Sequence, residues 1–260
     1  MCSCQTHEES LFNLIPSAES GVTFANTIVE NEQYNVFDYH NLYNGGGVGI
    51  ADLNNDGLPD LYFTGNMVND KIYLNKGDFQ FEDITQKSGI IAGGWSAGVS
   101  MVDINNDGLM DIYVSKSGNE PGEKRANQLY INQGNLTFSE EAKAYGIADT
   151  SYTNQAAFFD YDKDGDLDLY LLNTSNLIRN ANLLRKPIND GTGYASDKLY
   201  QNNGDGYFKD VTVKAGILTN GHGLGLSIGD VNNDGWEDIL ASSDFLPNDA
   251  LYINNQDNDP

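Results

Sequence analysis

The 260-residue chain carries 38 acidic against 14 basic residues, a formal net charge of −24, which argues against nucleic acid or an anionic membrane surface as partner and favours cations. A hydrophobic content of 39% with 11% aromatic residues excludes a disordered polymer. Cysteine occurs only as Cys2 and Cys4, so no disulfide framework holds the body, and no apolar run approaches the roughly 18 residues of a membrane span.

The first ten residues read as a polar tail. Met1-Cys2-Ser3-Cys4 followed by Gln5 to Ser10 resembles the mature start of a bacterial lipoprotein, which makes Cys4 a candidate lipidation site. Membrane attachment is expected only through such a lipid. Residues 11–46 form a lead-in, within which Phe12-Asn13-Leu14-Ile15 and Gly21-Val22 resemble the closing strand and Gly-Ile ending of the repeat units that follow. A strand here would belong to an adjacent or closing unit.

From residue 47 onward the chain repeats itself. Four copies of Asp-x-Asn/Asp-x-Asp-Gly-x-x-Asp begin at Asp52, Asp103, Asp160 and Asp230. Each is followed by a Tyr-x-Asn signature, at Tyr73, Tyr130, Tyr200 and Tyr252, and in the first three copies by a segment running from Phe81, Phe138 or Phe208 to a Gly-Ile pair. The step from Ile90, Ile147 or Ile217 to the next loop Asp is always 13 residues, whereas the step from loop Asp to Tyr is 21, 27, 40 and 22. All insertions therefore fall in one surface connection.

In the first copy, alternation and β-favouring residues predict strands over 47–51, 58–64, 71–75 and 79–84, with turn signals at Asn55-Asp56-Gly57 and Lys76-Gly77-Asp78. No amphipathic helix is expected. Units of four short strands are blade-sized, and an all-β propeller of antiparallel blades, about 47–90, 98–147, 155–217 and 225–260, follows. The last blade is incomplete, because the fourth copy runs into Gln256-Asp257-Asn258 where the others begin a fourth strand.

The nine-residue loops have the chemistry of a hard-cation site. Carboxylates or amides at positions 1, 3, 5 and 9 and a carbonyl at position 7 supply oxygens, and Gly at position 6 permits the sharp turn. The predicted ligands are Asp52, Asn54, Asp56, Leu58 (carbonyl) and Asp60; Asp103, Asn105, Asp107, Leu109 (carbonyl) and Asp111; Asp160, Asp162, Asp164, Asp166 (carbonyl) and Asp168; and Asp230, Asn232, Asp234, Trp236 (carbonyl) and Asp238. An EF-hand is excluded, since its position-12 Glu is replaced by Phe63, Val114, Leu171 and Ala241. Calcium is favoured over magnesium, which demands stricter geometry, and about four structural ions are expected.

The run Gly47-Val48-Gly49-Ile50-Ala51-Asp52 through Asp60-Leu61-Tyr62-Phe63 resembles the FG-GAP or VCBS repeat of integrin-α-like β-propellers. Asn44-Gly45-Gly46-Gly47, Phe63-Thr64-Gly65-Asn66, Phe158-Phe159-Asp160-Tyr161-Asp162 and His222-Gly223-Leu224-Gly225 are similar to secreted bacterial proteins of the ASPIC/UnbV type, which resemble cartilage acidic protein. The resemblance implies a larger propeller of about seven blades and an extracellular or surface-attached bacterial binding or adhesion protein. It supplies no ligand.

His7, His40 and His222 lie far apart and fit no nucleophilic motif, so no catalytic residue is nominated. The insertions, about 116–127 and 173–197, lie on the face opposite the loops and hold Lys116, Lys124, Arg125, Arg179, Arg185 and Lys186. Of these, Lys124, Arg125, Arg179, Arg185 and Lys186 are candidate contacts for an anionic protein or polysaccharide. Trp95 and Trp236 suggest a lectin-like alternative through stacking on a sugar. A polysaccharide-degrading enzyme using loop carboxylates is the remaining alternative.

Overall fold

The structure is a computed structural model that describes residues 10–32, 34–90, 93–175, 189–244 and 248–257. Its repeat units fold into antiparallel sheets in sequence order. Blade 1 comprises β1 (Val48–Ala51), β2 (Asp60–Phe63), β3 (Lys71–Asn75) and β4 (Phe81–Asp83), and blade 2 comprises β5 (Trp95–Val102), β6 (Asp111–Ser117), β7 (Gln128–Asn132) and β8 (Phe138–Glu140). Blade 3 is built from β9 (Thr153–Phe159), β10 (Asp168–Asn173), β11 (Lys198–Asn202) and β12 (Phe208–Asp210). Blade 4 has three strands, β13 (Gly223–Gly229), β14 (Asp238–Ser243) and β15 (Ala250–Tyr252). This is the all-β, bladed propeller architecture that the repeats predict.

The core lies between blades. Each strand sends alternate side chains to the two neighbouring sheets. Tyr62, Ile72 and Leu74 of blade 1 pack on Ile112, Val114, Tyr130 and Phe138 of blade 2. Tyr113, Leu129 and Ile131 of blade 2 then meet Leu169, Leu171, Tyr200 and Phe208 of blade 3. Finally, Tyr170, Leu172 and Leu199 of blade 3 meet Ile239, Ala241 and Tyr252 of blade 4. β6 is buried throughout its length because sheets cover both of its faces, and Ile112, Tyr113 and Val114 supply the continuous apolar run at its centre.

Three local differences from the sequence reading have physical causes. The second strands begin at position 9 of each loop, at Asp60, Asp111, Asp168 and Asp238, rather than at Leu58 and its counterparts, because the position-7 N–H is already bonded inside the loop. The fourth strand starts at Phe81 because Asp78 and Phe79 both turn into the left-handed region, with φ of 49° and 58°. Single-turn helices α1 (Ser17–Ser20) and α2 (Thr85–Ser88) were not expected from the pattern; each closes on a Gly, Gly21 at φ 75° and Gly89 at φ 77°.

The lead-in forms no strand among the described residues. It crosses the insertion end instead: Phe24 stacks on Phe63 at 5.1 Å, Asn26 and Asn66 exchange hydrogen bonds, and Tyr34 and Tyr39 enclose Trp95. Asn41, in a short 3-10 turn, then reaches Thr174 of blade 3.

Candidate metal centre

Each nine-residue loop is a set of carboxylates held by the backbone that it turns. Asp52 accepts the N–H of Asp56 and of Gly57 at 3.1 and 2.7 Å. Asp103, Asp160 and Asp230 do the same for their own positions 5 and 6. Position 4 lies in the left-handed region in every copy, at Asn55, Asn106, Lys163 and Asn233, and so does the position-6 Gly, at φ of 85°, 84°, 97° and 89°. A Cβ on Gly57, Gly108 or Gly165 would meet nothing within 4 Å, so the backbone angle, not space, requires glycine there.

Position 9 is a buried structural carboxylate. One oxygen of Asp60, Asp111, Asp168 and Asp238 accepts the position-2 N–H of Leu53, Ile104, Tyr161 or Val231 at 2.9–3.1 Å. The other accepts the N–H of Asn75, Asn132 or Asn202 at the end of the third strand, or of Asn254 just beyond it, at 2.7–2.8 Å. The residue predicted to close a metal site thus already ties loop, second strand and third strand together, keeping further lone pairs for a cation. Burial, only partly offset by these N–H donors, raises the carboxyls of Asp60, Asp111 and Asp168, that of Asp111 to about 6 and that of Asp168 to about 8. Asp52, at the exposed rim, responds in the opposite sense: burial pulls it up, but the N–H groups of Gly57 and Asp56 outweigh that and lower it.

The loops differ at position 3. Asn54, Asn105 and Asn232 donate their amide N–H to the position-5 carboxylates of Asp56, Asp107 and Asp234 at 2.8–3.0 Å. Asp162 has no N–H to give. It accepts Gln201 Nε2 on one oxygen, while its Oδ1 is buried without a partner at hydrogen-bonding geometry. Asp160, Asp162 and Asp168 each bring one carboxylate oxygen within 4.8 Å of the others, the group of this kind found among the described residues. Burial and then the neighbouring carboxylates Asp164 and Asp160 raise Asp162. A divalent cation bound by these oxygens would relieve both costs, the orphaned oxygen and the crowding of like charges. The donor set, all oxygen, suits calcium.

The other predicted ligands have definite places. The N–H groups of Leu58, Leu109, Asp166 and Trp236 bond the position-5 carboxylates of Asp56, Asp107, Asp164 and Asp234 at 2.8–2.9 Å. Neighbouring loops also touch: Asn55 donates to the Gly108 carbonyl, and Lys163 sits 4.5 Å over the Trp236 ring. In two copies the Asn of the Tyr-x-Asn signature links blades, while Asn75 and Asn202 donate to Pro59 O and Leu167 O of their own blade. Asn132 Nδ2 donates to Leu53 O of blade 1, and Asn254 Nδ2 to Tyr161 O of blade 3, both at 2.8 Å.

On the opposite face the prediction for Arg125 is corrected. Its guanidinium is buried, bonded to the carbonyls of Glu120, Thr150 and Ser151, and lies 3.9 Å from the Tyr152 ring centroid, so its charge is not displayed. Lys116 is likewise buried, its ammonium bonded to Gly93 O and Ser96 Oγ. Lys124 is exposed in the turn Gly122–Arg125. Arg179, Arg185, Lys186 and Cys4 lie outside the described residues. Trp95 is enclosed by the lead-in tyrosines, which removes it as a sugar platform.

The sequence reading missed one repeated site. Asp70 and Asp197, three residues before the signature Tyr, accept the N–H of Gly65 or Asn173 and the hydroxyl of Tyr62 or Tyr170. Asn127 holds the same place in blade 2, accepting the Lys116 N–H. Burial raises Asp197 to about 7. The Asp or Asn recurring at this offset, again at Asp249, was the available signal.

The profile of the FG-GAP-like repeat family matches residues 52–114, 118–171 and 188–241. Human (Homo sapiens) cartilage acidic protein 1 is 23% identical over 202 residues, 77% of this chain and 28% of that protein. The crystal structure of the V. cholerae biofilm matrix protein Bap1 is similar at a TM-score of 0.41 and 17% identity, over 75% of this chain and 24% of that one. The chain spans about a quarter of the length of each.

Proposed function

Since the chain belongs to the FG-GAP-like repeat family, we propose that it is a calcium-stabilised binding module of the extracellular space or cell surface that presents its insertion-side loops to a protein or polysaccharide partner. The observation that carries the calcium reading is the third loop, where Asp160, Asp162 and Asp168 converge and Asp162 Oδ1 is buried with no hydrogen bond of good geometry, the Asp164 N–H lying nearby. The remaining loops share its backbone, and about four ions is the corresponding occupancy. Calcium there would neutralise charge and fix the hairpin, which the position-9 Asp already joins to the third strand. That use is structural, and it leaves recognition to the other face.

An extracellular setting is supported by the likeness to cartilage acidic protein 1. No helix among the described residues is long and apolar enough to cross a membrane, and Cys4 is the residue through which a lipid would attach this segment to a surface. An anionic partner is supported by the exposed Lys124 on one insertion and by Arg179, Arg185 and Lys186 in the sequence of the longest one.

The test is binding of labelled protein to a panel of immobilised glycans and matrix proteins, in calcium and in EGTA. Calcium-dependent capture by an anionic member, weakened in Lys124→Ala/Arg179→Ala/Arg185→Ala/Lys186→Ala, is the expected result. Capture unchanged in that variant would remove the basic insertions from recognition. Turnover of any glycan would replace the binding reading with an enzymatic one.

A further inference from the structure

Neighbouring loops are joined through position 4, the residue that stands between two predicted ligands. In the first loop this is Asn55, whose Nδ2 donates to Gly108 O, at position 6 of the second loop, at 3.0 Å. That carbonyl belongs to the same peptide as the Leu109 N–H, which bonds Asp107 Oδ1 at 2.9 Å. A side chain flanked by Asn54 and Asp56 thus holds the peptide that positions a carboxylate of the next loop. In the third loop the residue is Lys163, whose ammonium lies 4.5 Å from the Trp236 ring centroid, at position 7 of the fourth loop, and 3.7 Å from the place of a Cβ on Gly235. The Trp236 N–H in turn bonds Asp234 at 2.8 Å. The second loop departs from this pattern. Asn106 has nearly the φ of Asn55, 56° against 57°, yet makes no hydrogen bond to the third loop among the described residues.

A second contact, made by other residues on other strands, groups the loops in the same way. The N–H of Asn132, at the end of β7, bonds Asp111 at position 9 of the second loop at 2.7 Å, while its Nδ2 donates to Leu53 O at position 2 of the first loop at 2.8 Å. The Leu53 N–H is itself held by Asp60, position 9 of the first loop, at 2.9 Å. One asparagine therefore connects the closing carboxylates of two loops. Asn254 does the same for the fourth and third: its N–H bonds Asp238, its Nδ2 donates to Tyr161 O, and the Tyr161 N–H is held by Asp168. Asn202, the residue that could join the third loop to the second, keeps its Nδ2 in its own blade, on Leu167 O at 3.2 Å. Both kinds of contact link first to second and third to fourth, and both leave a break between second and third.

We propose that the four loops take up calcium as two coupled pairs, the first with the second and the third with the fourth. This rests on the calcium reading above. Asn55 and Asn132 are the positioning residues of one pair, Lys163 and Asn254 those of the other. An empty loop crowds like charges and resists closing. A cation that fixes residues 52–60 also fixes the Asn55 amide and the Leu53 carbonyl, the donor and the acceptor by which the second loop is held. The second loop then has less ordering left to do, so its affinity rises, and by reciprocity its occupancy raises that of the first by the same factor. One neutral hydrogen bond sets the scale at about five-fold. The second and third loops, with neither link between them, fill independently.

Hydrogen–deuterium exchange of the full chain across a calcium titration reads the loops one by one, through peptides covering 52–60, 103–111 and 160–168. Asp56→Asn, which removes a ligand of the first loop, should raise the calcium midpoint of the second about five-fold and leave the third in place. Asp107→Asn should raise the midpoint of the first by the same factor and again spare the third. Asn55→Gly and Asn106→Gly keep every predicted ligand and suit the left-handed backbone at both positions, so they decide the matter even where a ligand substitution disturbs folding. Asn55→Gly should raise the midpoint of the second loop, though less than Asp56→Asn does, because Asn132 still joins the pair. Asn106→Gly should leave the third loop at the parent's midpoint. A second loop that calcium protects but that ignores both Asp56→Asn and Asn55→Gly would overturn the pairing while calcium binding stands, as would a third loop that responds to Asp107→Asn as strongly as the first. Exchange indifferent to calcium in every loop would overturn the calcium reading and the pairing with it.

Discussion

If the loops hold calcium as proposed, position 3 sets how much each would depend on it. Asn54, Asn105 and Asn232 quiet their neighbouring carboxylate with an amide N–H, whereas Asp162 adds a charge and keeps a buried oxygen unpaired. Asp162→Asn is expected to stabilise the metal-free protein by about 1–2 kcal/mol, by removing an unpaired buried acceptor. The same change should weaken calcium binding at the third loop, so its melting temperature rises in EGTA while its calcium-induced shift shrinks. Calorimetric titration and thermal unfolding of the variant check both halves. The nine-residue pattern was legible in the sequence to the residue, but the special status of the third copy was not, because it depends on which oxygens burial leaves without a donor.

Asp197 gives a second prediction at the same scale, remote from the loops. Its folded value of about 7, set by burial against the Asn173 N–H and Tyr170 hydroxyl, stands above the ordinary 3.8. Between those values the fold binds a proton that the unfolded chain has lost. The contribution is therefore complete below about pH 4 and is lost as pH rises through 7. In urea unfolding with EGTA, Asp197→Asn should have a flatter stability profile from pH 5 to 8 and should gain on the parent as pH rises. Blade 2 already carries Asn127 at this position, so the amide is sterically suitable. A parallel profile for the two proteins would mean that Asp197 stays ionised in the fold.

At the scale of elements, the blades were legible because each strand alternates between two apolar neighbours and each turn carries its Gly or Asn. What the pattern could not show was the boundary between loop and strand. It placed strand residues at Leu58 and Phe79, where side-chain bonds inside the loop and two successive left-handed residues keep the backbone out of the ladder. Nor did it show that the Asn of two Tyr-x-Asn signatures, Asn132 and Asn254, links adjacent blades. Asn132 is buried and donates to Leu53 O of blade 1 and Met110 O of its own blade while accepting the Gly134 N–H. Asn132→Ala should cost about 2–3 kcal/mol in denaturant unfolding, since it leaves two buried carbonyls and an N–H unpaired. Asn75, with a single carbonyl at Pro59 and a more exposed site, should cost less.

Across the whole molecule the net charge of −24 and the repeat are two aspects of one design, since carboxylates gathered at one end of every blade need counter-charge to remain close. The acidic end was readable from composition and spacing. The basic patch inferred for the opposite end was only partly so: Arg125 and Lys116 turn inward to satisfy carbonyls and hydroxyls, an outcome that sequence position in an insertion does not reveal. The central claim is that cations bound in the loops hold this fold together, and the most direct measurement is thermal unfolding in excess EGTA and across a calcium titration. A site saturated at a hundred times its dissociation constant adds about 2.7 kcal/mol, or a rise of about 5–10 °C for a chain of this size. Calcium should produce a rise of at least that order, with magnesium well behind it and Asp162→Asn reducing it. A melting temperature that does not move with calcium, together with no heat of binding, would contradict the account and leave the loops as turns closed by their own hydrogen bonds.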